Sequence, residues 1–132
     1  MTQEDKELLL KDLCARLPYK PKIKVLSLWN ENKEVEEEIV DSIYCVMSDG
    51  YINTETIDSD ISLDDIVLYL RPMSNMTREE QVRYDILVEE TVYRPGVLTC
   101  FDLINFCHEH HLDNLGLIEK GLAIEAPAGM YE

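Results

Sequence analysis

The spacing of apolar residues changes twice along this chain, which divides it into three segments. In the first, Leu9, Leu10, Leu13, Cys14 and Leu17 recur at helical spacing and give one apolar face. Thr2, with Asp5 three residues on, stands in capping-box position, and Pro18 and Pro21 close the helix. The second segment reads as β structure. Ile23 to Trp29 forms a first strand, Asn30 to Lys33 a turn, Val35 to Met47 a second strand and Tyr51 to Ile57 a third. Ser48-Asp49-Gly50 is the hairpin turn between the second and third strands. Ser62 to Asp65 opens one helical turn before a last apolar strand, Ile66 to Leu70. Ile43, Cys45 and Met47 alternate with Tyr44 and Val46, so both faces of the second strand are apolar. A covered sheet or a small closed barrel suits that pattern better than an open sheet with one wet face.

The third segment returns to helical spacing after Arg71-Pro72. Thr77 and Glu80 form a second capping box, and a helix to about Val92 follows with Val82, Ile86 and Tyr93 on its buried side. Arg94-Pro95-Gly96 interrupts it. Thr99 with Asp102 caps another helix over Cys100 to His111, whose apolar face is Cys100, Leu103, Ile104, Cys107 and His111. Gly116 to Gly121 reads as one short helical turn, and residues 126–132 have no periodicity. The pattern predicts one α+β domain over 1–132: a helix over 1–19, a β segment over 20–70 and a helical segment over 71–132. Its β part is a small curved antiparallel sheet or SH3-like barrel, flanked by the N-terminal helix and the C-terminal helices. Trp29, Ile43, Leu103 and Ile104 fall on apolar faces and are expected to be buried.

Composition adds to this picture chiefly through charge. The net charge is −15, and it is uneven. Residues 1–33 carry seven bases and five acids, 34–70 carry eleven acids and no base, and 71–132 carry five bases and eleven acids. Direct binding to a nucleic-acid backbone needs clustered Lys and Arg, which the chain lacks, and an anionic membrane surface would repel it. No apolar run is long enough to cross a bilayer, and the acidic, amphipathic start does not resemble a secretory signal. The four cysteines, Cys14, Cys45, Cys100 and Cys107, form no CxxC pair, so reduced thiols in a cytoplasmic setting are expected.

Several clusters bear on chemistry. In Cys107-His108-Glu109-His110-His111, Cys107 and His111 are four apart on a helix face, as paired metal ligands often are, but no second Cys or His pair exists elsewhere to complete a site. No native metal and no cofactor are expected. Cys100, at the start of its predicted helix, has the placement of a nucleophile, yet no oxyanion-hole loop or orienting third group accompanies it. Asp58 to Asp65 begins like a calcium loop, but Leu63 stands where glycine is needed and Tyr69 where the bidentate glutamate belongs. The acidic run from Glu34 to Asp65 departs furthest from an average chain. Carried on β hairpins, Glu36, Glu38, Asp41, Asp58 and Asp60 would form a fixed anionic surface, suited to a basic protein partner.

Three stretches, EDKELLLKDLCARLPY at 4–19, YLRPMSNMTREE at 69–80 and GLIEKGLAIEAPAGMYE at 116–132, resemble a family of uncharacterised small bacterial proteins of gut Bacteroidetes type, often found with prophages and mobile elements. The resemblance covers roughly a third of the chain. It implies a bacterial cytoplasm and a mobile-element origin, and it supplies no catalytic residues. The expected function is a non-enzymatic protein-interaction module. The alternative is an acidic nucleic-acid mimic that blocks a basic DNA- or RNA-binding protein. The third reading is an enzyme using Cys/His chemistry.

Overall fold

A computed structural model describes residues 2–25, 39–47, 50–55, 57, 60–94 and 96–131, and Trp29 lies outside them. Helix α1 spans Gln3–Arg16. Both halves of its capping box form: the Thr2 hydroxyl accepts from the Asp5 amide and the Asp5 carboxylate from the Thr2 amide, each at 3.1 Å. Leu9 and Leu13 are fully buried. Beyond Arg16 the chain makes one 3-10 turn, Leu17–Tyr19, and Lys20 takes a left-handed φ of 53° between the two prolines that stop the helix.

The strands are β1 (Lys22–Val25), β2 (Ile39–Val46), β3 (Tyr51–Thr54), β4 (Ile61–Ser62), β5 (Ile66–Leu70) and β6 (Ala123–Glu125). They form one sheet in the order β4-β3-β2-β1-β5-β6. Every pairing is antiparallel except that of β5 with β6, which is parallel. The sheet is therefore mixed where an antiparallel one was expected, and it has two ends, so it is not a closed barrel. The pairing changes partner along β2. The first half of β2 pairs with β1 and the second half with β3, and the register shifts between Ile43 and Cys45. A bulge at such a point kinks the strand and increases its twist.

The two-sided burial expected of β2 falls instead on β5. Tyr44 is exposed and Cys45, Val46 and Met47 are half-buried, whereas Leu68, Tyr69 and Leu70 are all buried in an inner strand. The predicted one-turn helix does form at Leu63–Asp65, where the Ser62 hydroxyl accepts from the Asp64 amide. Strand β6 had no signal in the sequence, because three residues are too few to display a period.

Helices α2 (Arg78–Tyr93) and α3 (Val97–Glu109) form an antiparallel hairpin outside the sheet. The main core joins α1, the sheet and Leu117 and Leu122 of the loop after α3, and no described side chain of α2 or α3 belongs to it. The hairpin has its own small core of Leu87, Phe106, Cys107 and Leu112, with Met73, Met76, Tyr84 and Leu103 packed around it. Helix α3 starts earlier than predicted, after Gly96, and the Thr99 hydroxyl donates to the Arg94 and Gly96 carbonyls, so it does not cap the helix.

The expected burial holds at Ile43 and in part at Leu103, but Ile104 is 42 % exposed. Ile43→Ala is therefore expected to lower stability by about 2–5 kcal/mol. Ile104→Ala should change it by no more than about 0.5 kcal/mol. Denaturant titration of the two variants checks both values. Equal losses would mean that α3 is turned differently.

Candidate functional site

The acidic segment was expected to present its carboxylates as one outward array. Glu36, Glu38 and Asp58 lie outside the described residues. Asp41 points inward: it is 7 % exposed, and its Oδ1 accepts from the Ser42 amide at 2.8 Å. Asp60 is exposed. Two other acids of this segment are engaged by lysines from the net-basic residues 1–33, Asp64 by Lys6 at 3.2 Å and Glu55 by Lys20 at 3.8 Å. These exposed pairs contribute little energy, but they neutralise charge locally.

Cys107 and His111 do not meet as ligands. Cys107 is buried, and burial pushes its thiol pKa up. Residue 111 lies beyond the end of α3 with a left-handed φ of 58°, which takes it off the helix face that would have aligned it with Cys107. The His111 ring stacks on Tyr131, with centroids 3.6 Å apart. Burial, reinforced by Arg16 and Arg71, lowers the His111 pKa to about 4. Among the described residues no group of three His, Cys, Asp or Glu could hold a metal ion. Cys100 is exposed on α3.

What the structure brings forward is the α2–α3 hairpin and its anchor. The side of α2 predicted to be buried faces out: Val82, Ile86 and Tyr93 are 54, 42 and 80 % exposed. The inward side carries Tyr84 and Leu87 instead. Phe101 and Ile104 are exposed on α3. This surface is apolar, lies on regular helix and belongs to neither core. Periodicity located the apolar stripes but not their orientation, since a stripe facing solvent and one facing a core have the same spacing.

The anchor sits where β5 gives way to α2. Arg71 and Glu80 form a two-pronged ion pair, Nη1 to Oε2 at 2.9 Å and Nη2 to Oε1 at 2.7 Å. Arg71 also donates from Nε to Asn75 Oδ1, from Nη2 to the Asn75 carbonyl and from Nη1 to the His110 carbonyl. His110 Nδ1 lies 2.9 Å from Glu80 Oε2, and Glu80 accepts from the Thr77 amide as part of the second predicted capping box. One carboxylate thus ties the end of β5, the start of α2 and the end of α3. Hydrogen bonds from Arg71 hold the Glu80 pKa at about 2, against the opposing effect of burial. The capping box was legible in the sequence, but the second role of Glu80 was not, because nothing in local spacing points to an arginine nine residues earlier.

The anchor lines one side of a cleft of about 590 Å³, with Glu125 to Gly129 and Tyr131 on the other. Arg71 is already committed to Glu80, Asn75 and His110, so these groups brace the cleft. No helix is long and apolar enough to cross a membrane among the described residues. No protein-family model, curated protein or solved structure matches this chain.

Proposed function

We propose that this chain is a non-enzymatic protein-interaction module that docks through the apolar side of α3, with Phe101 and Ile104 at its centre. The observation that carries this reading is the exposure of large apolar residues on a regular, anchored helix. Exposed aromatic and aliphatic side chains on a rigid element are the usual anchors of a protein interface. Burial disfavours the thiolate of Cys107, which is opposite to what a nucleophile requires. The resemblance in sequence suggests a bacterial cytoplasm and a mobile element as the setting.

The second reading, a nucleic-acid mimic for a basic partner, draws on the net charge and on exposed Asp60. The inward turn of Asp41 and the lysine pairs at Glu55 and Asp64 count against it. Capture from a bacterial lysate separates the two. A partner retained at high salt but lost with Phe101→Glu/Ile104→Glu is the expected result. A basic partner lost only when Glu36, Glu38, Asp58 and Asp60 are changed to Lys would favour the mimic. Identical partners for all three proteins would remove both readings.

A further inference from the structure

We propose that α2 is a self-association surface, pairing antiparallel with α2 of a second copy of this chain. This goes beyond the reading above, which concerns α3 and a different protein. The outward stripe of α2 is Glu79, Val82, Ile86, Glu89 and Tyr93, whose alternating spacing of three and four is that of the seam between two paired helices. The opposite side of α2 is already packed through Tyr84 and Leu87 against Phe106 and its neighbours. Val82, Ile86 and Tyr93 remain open.

Charge identifies the occupant. Arg83 and Glu90 flank the seam, with Glu79 near one end and Arg94 just past the other. An antiparallel copy centred just past Ile86 sets Arg83 opposite Glu90 of the second copy and brings Glu79 toward Arg94 of the second copy. Two-fold symmetry then repeats each pair. A parallel copy would set Arg83 against Arg78 and Glu90 against Asp85 of the second copy, which is repulsive. None of Glu79, Arg83, Glu90 and Arg94 makes an ion pair among the described residues. In the antiparallel register Val82 packs against Tyr93 of the second copy and Ile86 beside Glu89 of the second copy, whose aliphatic stem covers it near the axis.

Sedimentation equilibrium of the full chain tests this, with circular dichroism confirming that each variant keeps its helix content. The wild type is expected to be a reversible dimer with a Kd below about 1 mM, as fits a small one-helix interface. Ile86→Asp should weaken the dimer at least about tenfold, and Arg83→Glu or Glu90→Arg alone should weaken it about tenfold. The Arg83→Glu/Glu90→Arg double variant should recover to within about threefold of the wild type, because the pairs re-form with exchanged signs. A monomer at about 1 mM, a dimer indifferent to Ile86→Asp, or a double variant no tighter than the singles would overturn the proposal.

Discussion

Arg16→Ala is expected to lower stability by about 3–5 kcal/mol, among the largest effects of any single substitution in this chain. The Arg16 and Asp12 side chains are both fully buried, one helical turn apart on α1, with Nε donating to Oδ2 at 2.8 Å. Arg16 Nη2 continues to the Leu112 carbonyl at 2.8 Å and to Asn114 Oδ1 at 3.0 Å, so one side chain joins the first helix to the loop after α3. Removing it strands the Asp12 carboxylate without its counter-charge in a site where water does not reach. The network is already incompletely satisfied, since Asp12 Oδ1 and Arg16 Nη1 have no hydrogen-bond partner among the described residues. Replacing both members with apolar residues of similar size, Asp12→Leu/Arg16→Met, should therefore cost less than Arg16→Ala alone, leaving mainly the unpaired Leu112 carbonyl and Asn114. Urea titration of the two variants checks this. A double variant worse than the single would show that the pair stabilises beyond its own desolvation.

Glu80→Gln is expected to lower stability by about 2–4 kcal/mol at neutral pH and to flatten the acid limb of the stability curve. The Arg71 and Glu80 side chains are 17 and 12 % exposed, so their pairing is only partly screened. Glutamine keeps the capping-box geometry, and the variant thus isolates the loss of charge. The folded-state pKa of about 2 lies below the ordinary value of 4.5, so the carboxylate contributes stability that is present above pH 4.5 and is lost as pH falls toward 2. A shift of this size corresponds to on the order of 3 kcal/mol. His111 acts in the same direction over a higher window. Its folded pKa of about 4 lies below the ordinary 6.5, so the unfolded state gains a proton first as pH falls from 6.5 to 4. The wild type should lose stability in both windows and Glu80→Gln only in the upper one. A variant that tracks the wild type below pH 4 would place the acid sensitivity elsewhere.

The α+β class, α1 with its cap, the β5 strand and the capped start of α2 were all legible, because each depends on a pattern contained within a few residues. The elements that were missed depend on distant partners. Strand β6 exists only because β5 offers it an edge, and Asp41 turns inward although its sequence neighbours Glu36 to Glu38 suggested a solvated acidic run. The faces of α2 and α3 were misassigned for a related reason. The sequence carries apolar residues around most of α3, and the hairpin core uses Phe106 and Cys107 while leaving Phe101 and Ile104 outside. Of the candidate site, the residue types were visible, but the tie between Arg71, Glu80 and His110 needed the chain to double back on itself.

The parallel pairing of β6 has a consequence for how the protein is made. The Tyr131 hydroxyl accepts from the Lys22 amide at 2.9 Å and donates to the Tyr69 carbonyl at 2.8 Å, while β6 completes its edge of the sheet beside β5. A strand formed near residue 22 therefore waits for a side chain more than a hundred positions later. As the chain leaves the ribosome, α1 and the hairpins of the sheet can collapse early, but β5 keeps an open edge until residues 123–125 have cleared the exit tunnel. During that interval the nascent chain exposes an unpaired strand, while the eleven acids and no base of residues 34–70, already synthesised, carry a like charge that opposes close approach of a second nascent chain.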